Sequence, residues 1–181
     1  MTGTSLTRLH PPSAMTTPEN SADTYQSNLV SALATIAQDD TVANRSAVLA
    51  ALATSAVTVI LDQPWDGASL PELDTRFLLV SDGNNTEQPM LAIFSTRDCA
   101  QRFRHDVDLG NEFEHLVEVS GSWSLLGVTE GVGVMIDPNQ STAFRITPEL
   151  AAELRNDVRE AMDRVLARQD GANGSPDAEG G

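Results

Sequence analysis

The 181-residue chain has the length of one domain with short tails, and 40% of its residues are hydrophobic, enough for a buried core. Only 4% are aromatic, so aliphatic side chains must fill most of that core. The net charge of −15 argues against polyanionic partners, so we expect no nucleic acid and no anionic membrane surface.

Cysteine content and hydropathy narrow the class of protein further. Cys99 is the only cysteine, which excludes a disulfide framework or a Cys-based zinc site within one chain. No apolar run approaches the roughly 18 residues of a membrane span, and the N-terminal segment lacks the apolar stretch of a secretory signal. We therefore expect a cytoplasmic protein.

Both ends of the chain have the composition of disordered tails. Residues 1–22 are rich in Thr, Ser and Pro, and residues 170–181 are rich in Gly. Neither segment has enough large apolar side chains to offset the entropy lost on ordering. One domain over residues 23–169 is the expectation.

The domain begins with two predicted helices. Ser21 or Asp23 can cap the first helix, and Asp39–Thr41 end it and cap the second. Apolar residues three to four positions apart predict the buried face of the first helix. In the second helix that face is predicted to hold Val42, Leu49, Leu52 and Ala56.

Three apolar segments then predict strands. Val57–Leu61 is continuous and rich in β-branched residues, which is typical of a buried strand. Arg76–Val80 and Met90–Phe94 predict two more strands. The turn residues 81–86 between them favour an antiparallel hairpin.

A short helix and a further strand follow. Ser95 and Asp98 have the spacing of a capping box, which predicts a helix with Phe103 on its inner face. His115–Val119 predicts another strand, and Ser122–Gly127 a short helical segment.

The C-terminal part predicts a second hairpin, from Val132–Ile136 and Ala143–Ile146, and a long helix capped by Thr147. One apolar face of that helix is formed by Leu150, Leu154, Val158, Ala161, Met162, Val165 and Leu166. Together the elements predict a single α/β domain, with helices packed on a mixed twisted sheet of about five or six strands.

Two segments carry a family resemblance. Leu91–Thr96 runs from a predicted strand into a helix, and Gly133–Pro138 ends a later strand in a turn. From about Asn28 to Leu154 the chain resembles the bacterial SseB-type family, named for enhanced serine sensitivity. The resemblance implies a small α/β domain with a poorly defined molecular function and no established catalytic residues. Two positions depart from the family pattern, Asp137 where Asn is usual and Phe103 where Trp is frequent.

The densest polar cluster, residues 105–115, contains two His and four acidic residues. A divalent metal is one interpretation, but the glycine counted from Asp106 is at the fifth position, whereas a calcium loop needs it at the sixth. A solvated acidic loop is the preferred interpretation. Cys99 lies in the first turn of a predicted helix and His105 on another side of it, so we expect a packed, unreactive thiol.

These observations predict a non-catalytic, SseB-like adaptor that binds a protein partner stoichiometrically, that partner being basic, with no cofactor and no metal. The predicted binding residues are Asp106, Asp108, Glu112 and Glu114. A toxin-neutralising (immunity-type) or secretion-associated protein is one alternative. A metal-dependent enzyme that uses the 105–115 cluster is the other. The oligomeric state and any role of Gly180-Gly181 stay open.

Overall fold

The fold is that of a computed structural model, which describes residues 20–65, 74–82 and 85–173. Most of the two predicted tails lies outside these ranges, and their disorder stays a prediction. The described helices are α1 (Asn20–Gln38), α2 (Val42–Thr54), α3 (Arg97–Asp106), α4 (Gly121–Leu126) and α5 (Pro148–Asn173). The described strands are β1 (Ala56–Leu61), β2 (Leu79–Asp82), β3 (Asn85–Phe94), β4 (His115–Ser120), β5 (Gly133–Ile136) and β6 (Phe144–Ile146).

The strands form one mixed sheet, which confirms the predicted fold class. Its order is β4-β1-β3-β5-β6, and β2 pairs with β3. All pairs are antiparallel except β3 with β5. Since β3 is long, its first half pairs with β2 and its end pairs with β1, so β1 and β2 lie along the same side of it.

Helices cover both faces of the sheet. The larger core lies on the face covered by α1, α2, α4 and α5, and includes Leu33, Leu52, Val59 and Ile93. The opposite face packs against α3 through Phe94 and Phe103, whose ring centroids are 5.3 Å apart. Burial on both faces explains why β1 is a continuous apolar run.

Both predicted hairpins form. β2 and β3 pair as expected, but β2 begins at Leu79, and Phe77 contributes only an isolated bridge to Leu61. β5 and β6 form the second hairpin. The turn between them places Asp137 and Asn139 at positive φ, which Asp and Asn tolerate better than other side chains.

The predicted face of α2 is correct at Leu49 and Leu52, which pack in the larger core, and wrong at Val42 and Ala56; the predicted cap is confirmed. Asn44 N donates to Thr41 Oγ1 (3.2 Å), so α2 starts immediately after Thr41. Val42 therefore lies in an exposed first turn and is 82% accessible. Val48 and Leu52 are the buried residues of the helix, and Ala56 already belongs to β1.

Helix α4 packs against α2 through a contact that requires glycine. A Cβ on Gly121 would lie 1.9 Å from the carbonyl oxygen of Leu52. Gly121 N also donates to Ser55 O (2.8 Å). This close approach fixes the start of α4, and with it the position of Trp123.

Helix α5 is docked near its start and exposed over residues 161–168. Leu150 N donates to Thr147 Oγ1 (3.4 Å), which confirms the predicted cap. Leu150, Leu154 and Val158 pack against the larger core, whereas Met162, Val165 and Leu166 are 50%, 52% and 55% exposed. The predicted apolar face is thus buried near the start of the helix and open towards its end. No helix in the described ranges combines the length and the apolar character of a membrane span.

Candidate functional site

The four acidic residues predicted to bind a partner lie on an exposed stretch between α3 and β4, here called the acidic segment (Asp106–Glu114). Asp106 ends α3, and Glu114 directly precedes β4. Asp108 and Gly110 have positive φ, so the chain turns sharply between the two ends. Asp106, Asp108, Glu112 and Glu114 are all exposed, as a solvated acidic loop requires.

The side chains of this cluster do not converge on one point. His105 Nδ1 lies 3.5 Å from Asp106 Oδ1, both being exposed, while His115 is half-buried in β4. Within the described ranges, no three His, Cys, Asp or Glu side chains are grouped so that they could hold a metal ion.

The acidic segment borders an apolar cavity of about 460 Å³, here called the edge cavity. Its apolar lining includes Phe77, Leu79, Phe113, Trp123, Val128 and Val132. Phe113 lies in the acidic segment between Glu112 and Glu114. The two acidic residues were predictable from the sequence, but the cavity next to Phe113 was not.

Aromatic side chains form one wall of the edge cavity. Trp123 packs against Trp65 with ring centroids 4.7 Å apart, and against Phe77 at 6.1 Å. These are the two tryptophans of the chain. Three aromatic rings in contact give this wall a defined shape, because each ring is held by its neighbour.

Arg76 lies at the mouth of the edge cavity with its charge already paired. Its Nε donates to Asp62 Oδ2 (2.6 Å), and its backbone N donates to Asp62 Oδ1 (2.8 Å). These bonds lower the pKa of Asp62 and raise the pKa of Arg76. The guanidinium also lies over the ring of Phe113, 5.8 Å from its centroid.

The two halves of the acidic segment lie beside different cavities. Glu112 is near enough to Arg76 to raise its pKa further, and Glu112 and Glu114 flank Phe113 at the edge cavity. Val107 and Leu109, the neighbours of Asp108, instead line a second cavity of about 410 Å³. Of the four predicted residues, Glu112 and Glu114 are therefore the pair at the edge cavity.

Among the residues that the structure describes, strand β2 has an open edge beside the cavity. β1 ends at Leu61, opposite Phe77, and no other described strand pairs with β2 on that side. Ala92 N donates to Leu78 O (3.0 Å), and Leu79 lies opposite Leu91. In an antiparallel ladder this register directs the backbone groups of Val80 towards β3 and those of Leu79 and Ser81 away from it.

A second polar cluster lies at the end of β3 and shows that the predicted capping box is wrong. Thr96, not Ser95, caps α3, since Cys99 N donates to Thr96 Oγ1 (3.2 Å). Ser95 instead donates to Asp137, from its N to Oδ1 (2.8 Å) and from its Oγ to Oδ2 (2.6 Å). Burial raises the pKa of Asp137, although both bonds from Ser95 and the charge of Arg102 act in the opposite direction.

Cys99 is half-buried next to this cluster. Its Sγ lies 3.3 Å from Arg102 Nη2 and 4.0 Å from Ser95 Oγ. Both atoms can donate a hydrogen bond to this sulfur, so the thiol is held between Arg102 and Ser95.

The family model for the SseB protein N-terminal domain matches residues 29–153. The chain belongs to the SseB family. Comparisons with curated proteins and with solved structures gave no significant match. In this SseB domain the two segments that carried the resemblance meet: β3 pairs with β5, and Asp137 N donates to Ile93 O (2.9 Å). Both segments lie in the middle of the sheet, and Leu91 from the first of them also lines the edge cavity.

Proposed function

We propose that this SseB domain acts by stoichiometric binding of another protein and catalyses no reaction. The observation that carries the proposal is the edge cavity, an apolar recess whose lining residue Phe113 is flanked by the exposed residues Glu112 and Glu114. An apolar centre with a polar, charged rim is the usual composition of a protein–protein interface. We also propose that the binding takes place in the cytoplasm, which suits a chain with one cysteine.

The polar groups of the cavity wall support binding rather than acid–base chemistry. Arg76 is paired with Asp62. The Ser124 hydroxyl donates to Gly121 O (2.7 Å). Thr129 is the third polar residue of the lining. Because Arg76 and Ser124 already have partners within the domain, the wall mainly offers apolar surface and aromatic rings to a ligand. No observation favours the immunity-type or the secretion-associated role over the other.

The test begins with the wild-type domain and the Leu79→Ser variant as parallel baits in lysate of the native host. Leu79 is 51% exposed, so the substitution removes cavity wall without opening the core. A protein held by wild type and lost from the variant is then purified and titrated calorimetrically into the domain. We expect saturation at a fixed whole-number ratio, with both proteins chemically unchanged afterwards.

Val42→Ser is the matched control, since Val42 is an exposed apolar residue at the start of α2, outside the cavity lining. This variant should retain the partner. The proposal fails if the purified protein does not saturate the domain, or if it is modified in a reaction that the Glu112→Gln/Glu114→Gln variant no longer supports.

A further inference from the structure

We propose that the partner binds as an extended segment that adds a strand to the open edge of β2. One of its large apolar side chains enters the edge cavity, and Arg or Lys side chains beside it meet Glu112 and Glu114. This inference rests on the proposed function and specifies the chemistry of the partner at the same site.

The open edge of β2 offers backbone hydrogen-bonding groups to a partner strand. Leu79 and Ser81 direct their N–H and C=O groups away from β3, and no described residue pairs with them there. An unpaired strand edge is a template for another strand, and natural domains use it to bind extended peptides. A partner segment would satisfy these groups with main-chain hydrogen bonds, whatever its own side chains are.

The edge cavity offers a binding site for an apolar side chain of the partner segment. Leu79 and Leu91 lie opposite each other in the β2–β3 register, and both line the cavity. Since alternate residues of a strand point to the same face, a segment paired with Leu79 would direct every second side chain towards this wall. The space of about 460 Å³ accommodates a Leu, Met or Phe side chain against Trp123.

The charges around the cavity favour a partner segment of positive charge. Arg76 is the one charged residue among the described lining residues, and Asp62 already neutralises it. Glu112, Glu114 and Glu130 are exposed and adjacent in the chain to lining residues. Arg76 and Glu112 attract each other at longer range, but no hydrogen bond or close ion pair joins any of the three carboxylates to a described residue. A basic segment gains from these charges, whereas an acidic one is repelled.

A random linear peptide library displayed on phage, selected on the full-length wild-type chain, tests the inference directly. We expect enriched peptides to carry a large apolar residue with Arg or Lys within two positions of it. Synthetic peptides of the enriched sequences are then titrated by intrinsic fluorescence. Because Trp65 and Trp123 are the tryptophans of the chain and Trp123 lines the cavity, occupancy should change the emission.

Three variants separate the parts of the site. Ser81→Pro removes an N–H that points away from β3, and should weaken binding about fivefold, the value of one lost hydrogen bond. Ser81→Ala is its control and should bind as wild type does. Leu79→Ser should abolish the fluorescence change, and Glu112→Gln/Glu114→Gln should weaken binding more than Asp106→Asn/Asp108→Asn, which removes equal charge beside the other cavity.

The outcomes distinguish this inference from the proposed function. Peptides that bind Ser81→Pro as tightly as wild type overturn strand addition. Enrichment of acidic peptides, or of none, overturns the predicted partner chemistry. In each case a host protein that still saturates the wild-type domain and is lost from Leu79→Ser leaves stoichiometric binding standing.

Discussion

Asp137 joins two parts of the SseB domain that are far apart in the chain. Its carboxylate accepts both hydrogen bonds that Ser95 can donate, and its backbone N donates to Ile93 O. Asp137 is only 2% exposed, so this ionisable group is held almost entirely out of water. A neutral group that kept the same hydrogen bonds would avoid that desolvation cost.

Asp137→Asn should therefore stabilise the domain at neutral pH. Burial raises the pKa of Asp137 above its ordinary value of 3.8. Its stabilising contribution is then fully present below 3.8 and lost as pH rises through the higher folded value. Asn does not titrate, and its amide can keep both contacts, with Oδ1 accepting from Ser95 N and Nδ2 donating to Ser95 Oγ. Urea unfolding of both proteins from acid to neutral pH should show an advantage for the variant that grows with pH.

Asp98→Asn controls for the loss of one negative charge, since Asp98 is exposed in the first turn of α3. An advantage of Asp137→Asn that stays constant across the pH range would mean that Ser95 and Arg102 cancel the effect of burial. An advantage that shrinks or reverses as pH rises would mean that they outweigh it, and either result would contradict the prediction.

Ser95 also shows where local sequence patterns stop being informative. The spacing of Ser95 and Asp98 predicts a capping box, and the sequence contains no sign that Asp137, 42 residues away, will take the Ser95 hydroxyl. Thr96 then caps the helix with the same chemistry one position later. The existence of α3 was predictable from the sequence, but the identity of its cap depended on a long-range partner.

At the scale of elements, short sequence patterns were sufficient to predict features formed by residues close together in the chain. The turn residues predicted both hairpins, and the caps at Thr41 and Thr147 form as expected. The face of α2 could not be predicted in the same way. Val42, Leu49 and Leu52 are all apolar, and only the packing of the helix against its neighbours decides that Val42 stays in water.

The prediction at the scale of elements concerns helix α5. It compares the stability of two variants, each with one Asp introduced at a different position of this helix. Leu154→Asp should cost about 2–4 kcal/mol of unfolding free energy, because Leu154 packs against the larger core and the new charge would lie there without a partner. Met162→Asp, two turns later, should change it by less than about 0.5 kcal/mol, since Met162 is half exposed. Chemical denaturation of both variants at one pH measures the difference.

The Met162 variant is the internal control, because it carries the same substitution with the same charge and similar helix propensity. Equal losses in the two variants would show that the end of α5 is packed against something in the full chain or in a second copy. Equal small changes would show that Leu154 contributes little to the core.

At the scale of the whole molecule, the edge cavity could not be predicted from the sequence. Phe77, Phe113 and Trp123 come from three separate segments, and nothing in their spacing indicates that their rings lie at one site. The negative charge of the site was predictable, because the acidic residues and their charges can be read directly from the sequence. Glu112 and Glu114 were therefore predictable as exposed acidic residues, but the apolar surface next to them was not.

Net charge leads to the last prediction, which concerns the rate of association with a basic partner. A charge of −15 attracts a cation over long distances, but salt shortens that range to about 8 Å at physiological ionic strength. Stopped-flow association should therefore slow at least tenfold from low to high salt, whereas dissociation should change little.

Neutralising Asp106, Asp108, Glu112 and Glu114 to their amides should reproduce this slowing at low salt. The matched control removes the same charge from exposed carboxylates of α5: Glu153, Asp157, Glu160 and Asp163. If net charge alone steers the partner, both variants should slow equally. If the acidic segment directs it to the edge cavity, the first should slow more, and this is the result we expect, because local charge dominates once the partner is within a Debye length. Rates indifferent to salt and to both variants would contradict electrostatic steering and assign recognition to the apolar surface.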